Sequence, residues 1–225
     1  TSPVYSQASG SIAGITYSHN RGGMYTRARV TPTDPSSARQ QIMRAAMGVL
    51  APYWGDTLTA GQRDAWRLYA DNVPWTNPLG QSIFLTGQQH FLRTNTILLQ
   101  IGEAIQPAAP TIFDLGTFTA PTLGPVLAAG TFSVAFNSTD AWANGTGGFM
   151  LAYCGQPQGV GRNFMRGPWR FADKAIGDAI PPTSPSVQPA QHPFAAGNNF
   201  WCQIRFVQTD SRISLPVILG PGIIV

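Results

Sequence analysis

The chain has 225 residues, of which 43% are hydrophobic, 11% aromatic and only 11% charged, with a formal net charge of +4. About 25% charged residues is usual for a soluble domain, so the composition excludes a disordered polar tail and supplies ample core. No apolar run approaches the roughly 20 residues of a membrane span, and no membrane partner is expected.

The charges are unusual in kind and in place. Thirteen of the fourteen basic residues are Arg, Lys174 being the exception, and nine of the ten acidic residues are Asp, Glu103 being the exception. Interfaces favour Arg and aromatics over Lys and Glu, so the bias suits a subunit covered by neighbours. A GC-rich genome produces the same bias. The first fifty residues hold Arg21, Arg27, Arg29, Arg39 and Arg44 against Asp34 alone, and the remaining charges balance. Such a basic segment is a handle for an acidic protein surface or a nucleic acid.

Residues 1–34 read as an extended basic arm. Asn20, Gly22 and Gly23 mark a turn between two alternating stretches, which predicts a hairpin. Along the second stretch Tyr25, Arg27 and Arg29 share one face, while Met24, Thr26, Ala28 and Val30 share the other. Residues 35–105 read as a three-helix unit. Asp34 is the expected first cap, with Pro35 at the first helical position, and the apolar stripe Ala38, Ile42, Ala45, Ala46, Val49, Leu50 and Tyr53 follows. Thr59 with Gln62 and Thr86 with Gln89 are capping boxes for two further helices, carrying Ala65, Trp66 and Tyr69, then Phe91, Asn95, Leu98 and Leu99.

Residues 106–114 read as a Pro-rich linker. Beyond them, over residues 115–225, the period becomes two, as in Phe132, Val134 and Phe136 or Phe200, Cys202, Ile204 and Phe206. Short strands with turn signals predict an immunoglobulin-like or fibronectin-like β-sandwich, with 181–193 a long loop and the last strand, 213–219, an edge because of Pro216. The overall expectation is an α+β chain in several parts.

Enzymatic patterns are lacking. No nucleophile elbow, phosphate loop or zinc-protease motif occurs. His19, His90 and His192 are scattered, and Cys154 and Cys202 lack metal-ligand spacing, although they could meet across a sandwich as a disulfide. A Cys154/His192 dyad is outweighed by the inertness of a buried strand thiol. We expect no enzyme activity, no catalytic residue, no cofactor and no metal. The candidate partner-binding residues are Arg21, Tyr25, Arg27, Arg29, Arg39 and Arg44. A second basic and aromatic stretch runs over 162–171, with Arg162, Phe164, Arg166, Trp169 and Arg170.

The run Gly10-Ser-Ile-Ala-Gly-Ile-Thr-Tyr-Ser-His-Asn-Arg-Gly-Gly-Met-Tyr-Thr-Arg-Ala-Arg-Val30, followed by Thr31-Pro-Thr-Asp-Pro35 and Gln40, resembles the opening of tailed-bacteriophage and prophage structural proteins. Trp54, Leu58, Thr59, Gln62, Arg63, Ala65, Trp66, Tyr69, Ala70, Asn77, Pro78, Leu79, Gly80, Leu85, Thr86, Gly87, Phe91 and Asn95 continue it over roughly residues 10–100. The resemblance implies a non-enzymatic virion protein, assembled in the host cytoplasm, and carries no catalytic residues. Together with the basic arm it suggests a capsid decoration or cement protein whose arm clamps neighbouring shell subunits. Its partners would be the major capsid protein or other virion subunits and copies of itself. A neck, tail or baseplate component is the alternative, and a nucleic-acid-binding protein using the same arm is the further one.

Overall fold

The computed structural model describes residues 9–20, 23–77 and 80–225. Among the described residues the chain is mixed α+β, with three α-helices and four antiparallel sheets and no barrel. It divides into two compact units, Thr1–Gln41 and Ile42–Val225.

In the first unit β1 (Gly10–Ile12), β2 (Ile15–Asn20) and β3 (Gly23–Ala28) form a sheet in that order. The β2–β3 pairing matches Thr16 with Arg27 and Ser18 with Tyr25, following the alternation in the sequence. Helix α1 (Ala38–Pro52) begins later than Asp34 and Pro35 suggest. The Asp34 carboxylate instead accepts the Ser36 N–H and hydroxyl, both at 3.1 Å. This local turn competes with helix entry, and Ser36 at φ +42° breaks the helical path. Ser37 then caps α1, its N–H donating to Gln40 Oε1 at 3.1 Å while the Gln40 N–H reaches Ser37 Oγ at 3.4 Å.

In the second unit α1 ends at Pro52, which has no N–H for the ladder. One π turn, Tyr53–Thr57, follows, closed by Leu58 N–H donating to Tyr53 O at 3.0 Å. Helices α2 (Ala60–Asn72) and α3 (Gly87–Gln100) carry the two capping boxes that the spacing predicts. Between them β4 (Pro74–Thr76) pairs with β5 (Ser82–Phe84). Leu50, Leu58, Trp66, Tyr69, Val73 and Phe91 make the helical core. The Trp66 and Phe91 rings meet edge to face, 5.7 Å apart. Full burial of each such ring is worth about 2–3 kcal/mol.

The residues read as a linker are strapped to these helices. Trp66 Nε1 donates to Pro107 O at 3.0 Å, Tyr69 Oη to Asp114 O at 2.8 Å, and the Gln106 N–H to Asn95 Oδ1 at 2.6 Å. These bonds satisfy backbone groups that no sheet or helix pairs.

The rest of the second unit is two sheets. One joins β6 (Thr122–Leu127), β7 (Thr131–Ala135) and β10 (Ser186–Pro189) in the order β10-β7-β6. The other joins β8 (Phe149–Gly155), β9 (Trp169–Ile176), β11 (Asn199–Val207) and β12 (Val217–Ile223) in the order β12-β11-β8-β9. They share one core, in which Val126, Phe132 and Val134 pack with Met150, Ala152, Phe200, Ile204 and Phe206. The chain end ties the sheets together, with Val225 N–H donating to Val126 O at 2.9 Å.

Two details differ from the sequence reading. The Pro-rich stretch 181–193 contains β10, an edge strand, where prolines are tolerated. The last strand starts at Val217, after Pro216, while Ile213 makes an isolated bridge to Val207. It lies at an edge, as expected, although Pro216 precedes the strand and does not interrupt it.

Every residue of β8 is buried, because both of its faces are covered. Met150, Ala152 and Cys154 face the core between the sheets. Phe149, Leu151 and Tyr153 pack with Ile97, Leu98 and Ile101 at the end of α3. The helices thus form a third layer on the four-stranded sheet. Lys174 of β9 fastens it, Nζ donating to Ile101 O at 2.9 Å and to Glu103 Oε1 at 2.6 Å. A cation at a helix C-terminus is favourable because the last carbonyls are unpaired there.

Candidate functional site

Register assigns the two faces of the small β1-β2-β3 sheet. Cross-strand partners point the same way, so Ser11, Thr16, Ser18, Tyr25 and Arg27 line one face. Ser11 and Thr16 hydroxyls hydrogen-bond across it at 2.8 Å. Ile12, Ile15, Tyr17, His19, Met24, Thr26 and Ala28 line the other. The first face is polar, basic and aromatic. The second carries no formal charge.

Arg29 follows β3 in alternate register with Arg27, and its N–H donates to Gly14 O at 2.8 Å, anchoring the β1–β2 turn. That turn holds Ala13 at φ +52°, a conformation ordinarily left to glycine. Tyr25, Arg27 and Arg29 are all exposed. Arg21 lies outside the described residues.

Neither face of this sheet is a core. All residues of β1 and β3 are exposed, Ile12 to 73%. A three-stranded sheet ordinarily needs one apolar face covered. The apolar face is therefore as much a candidate contact surface as the basic one.

Arg39 and Arg44 are exposed on α1. Five residues apart, they lie about 140° apart around the helix, so α1 does not bring them to one face. What α1 does present is apolar. Only Ala46 and Leu50 are buried, whereas Ile42 (55%) and Val49 (53%) stay exposed, with Met43 and Met47 beside them. The expected stripe thus splits into a buried part and an exposed part. The missed signal is in the sequence: α1 contains no carboxylate, and its apolar residues spread well beyond a single stripe.

The other candidates are chemically quiet. Cys154 and Cys202 are register partners on adjacent strands of one sheet, not across two, and both are free thiols. Burial pushes both thiols up, Cys202 to about 12, away from the thiolate that nucleophilic chemistry needs. Cys154 Sγ donates to Gly155 O at 3.3 Å. Among the described residues no group of three or more His, Cys, Asp or Glu side chains is placed to hold a metal ion. In the second basic stretch the Arg162 guanidinium stacks 5.6 Å from the Phe164 ring, and Arg170 donates to Gln191 O at 3.3 Å. A cleft of about 440 Å³ lies between Trp54, Arg67, Asp71, Thr86, Gly87 and Gln88. Arg67 on its rim pairs with Asp64 at 2.5 Å. No described helix is long and apolar enough to cross a membrane. No protein-family model, curated protein or solved structure matches the chain.

Proposed function

We propose that this is a non-enzymatic structural subunit of a tailed-phage virion, most specifically a capsid decoration or cement protein. The observation that carries the reading is the small N-terminal sheet, whose basic Tyr25–Arg27 face and apolar Ile12–Ile15–Met24 face are both exposed. A surface of this kind gains its stability from a partner, and ordering it costs free energy that contacts with neighbours offset. A shell offers such contacts many times over. The resemblance over residues 10–100 supports the same setting.

In this reading Tyr25, Arg27 and Arg29, with Arg21, engage an acidic surface of neighbouring shell subunits, and Arg39 and Arg44 add charge along α1. The two sheets that share a core are an immunoglobulin-like or fibronectin-like sandwich, which projects from the shell or touches the next subunit. Residues 1–34 are the clamp. A chain lacking residues 1–31 should keep its near-ultraviolet circular dichroism and lose binding to undecorated particles. Full binding by the truncated chain refutes the clamp. Binding that falls steeply with salt and prefers DNA to particles favours the nucleic-acid alternative.

A further inference from the structure

The helical layer meets the four-stranded sheet beside a group of ionisable side chains that the arm does not use. His90 of α3 is completely buried, and neither of its ring nitrogens has a hydrogen-bond partner. Its ring stands edge-on to Tyr69 of α2, with centroids 5.1 Å apart. Three residues on, the Arg93 guanidinium covers the Trp75 ring at 4.5 Å. Arg93 Nη2 donates to Ile213 O at 2.8 Å and to Ser214 O at 3.0 Å, while its Nε has no partner. Arg205 of β11 is a second, largely buried cation acting on Arg93.

The carboxylates of this region are already engaged. Arg212 pairs with Asp114 and, at 2.7 Å, with Asp210. The Tyr69 hydroxyl donates to the Asp114 main-chain oxygen, not to its carboxylate. A proton on His90 thus enters a fully buried site beside Arg93, with no protein acceptor placed for either ring N–H and with the Asp114 and Asp210 carboxylates engaged by Arg212. Buried charge of that kind is strongly unfavourable. The core between the two sheets differs: within its buried cluster the ionisable groups are the Cys154 and Cys202 thiols, which acid leaves neutral. Half-buried His192, whose Nε2 also has no partner, lies outside that cluster on the loop after β10.

We propose that His90 is an acid-operated latch, whose protonation opens the packing of α3 against α2 while the core between the two sheets stays closed. Burial first, and Arg93 second, push the imidazole down from 6.5 to about 4. Between those values the released state binds the proton more readily, so the closed interface weakens as pH falls through that window. The latch does not depend on the virion reading.

Hydrogen exchange on the full chain, corrected for the intrinsic pH dependence of exchange, tests it. As the pH is lowered to about 4, amides of α2 and α3 should lose protection while those of β7 and β11 keep it. In His90→Leu, and again in the smaller change His90→Gln, the helical opening should move down by about one pH unit or more. Simultaneous loss from helices and strands, or variants that open at the wild-type pH, overturns the latch. Asp114→Asn separates the neighbouring ion pair: the remaining pH dependence should persist in that variant, and its disappearance there assigns the transition to Asp114 and refutes His90. Should the His90 variants fail to fold, nitrogen-15 histidine spectra of the wild-type chain decide. An imidazole neutral down to the opening supports the latch, and titration near 6.5 in the closed state overturns it.

Discussion

Single side chains do much of the joining between layers. Asn95, completely buried on α3, holds both ends of the Gln106 peptide: Oδ1 accepts its N–H at 2.6 Å, and Nδ2 donates to its carbonyl at 3.2 Å. Replacing Asn95 with Ala leaves the N–H and carbonyl of half-buried Gln106 without this partner, and a buried orphan costs about 1–3 kcal/mol. Urea denaturation of Asn95→Ala should show a loss of about 2 kcal/mol or more; an unchanged midpoint contradicts the strap. Lys174→Met should cost less, since the ion pair with Glu103 is partly solvated and only the bond to Ile101 O is sheltered. On the arm, Arg27→Ala combined with Arg29→Ala should weaken attachment to particles without shifting the melting temperature, because both side chains are exposed.

Elements that depend on neighbouring residues were legible, and those that depend on distant ones were not. The Thr59–Gln62 and Thr86–Gln89 boxes close within one turn, so spacing alone reveals them. The start of α1 was misread because Asp34 and Ser37 are both capable caps, and only the geometry at Ser36 decides between them. Strand β10 was hidden by prolines on either side of its two central residues. The covering of β8 by α3 was half visible, since residues 149–154 form an unbroken apolar run, which is how a strand buried on both faces reads. That the second cover is a helix from fifty residues upstream is a long-range fact. The same limit applies to the candidate site. Period-two alternation revealed the basic face of β3, whereas nothing in hydropathy tells which of several apolar faces of α1 stays uncovered.

Close approach of α2 and α3 makes a test at this scale. A Cβ on Gly87 lies 2.7 Å from the Arg67 main-chain nitrogen, with no flexible side chain to give way. Gly87→Ala should therefore destabilise by about 1–3 kcal/mol, as overpacking does. Thr86→Ala should cost about 1 kcal/mol through the lost cap. Thermal unfolding of the two variants should rank them in that order or as equals, and a stabilised Gly87→Ala contradicts the packing.

At the scale of the molecule, helices and sheets share one compact unit, and exposed large hydrophobic residues occur both on the arm, as at Ile12 and Val30, and on the body, as at Val160 and Ile180. The body closes its own cores, through the Lys174 and Arg93 ties on one side and the Val225 strand switch on the other. Among the described residues the arm sheet shows no such tie. The exposed faces of the arm sheet are the feature on which the proposed assembly role rests.

The most direct test is a copy number. Quantitative mass spectrometry of particles purified from the native source measures this chain against the main shell protein. A decoration subunit should be found at a ratio close to that of the shell protein itself. A few copies per particle contradict the decoration role and favour the neck or tail, and absence from the particles contradicts the virion assignment.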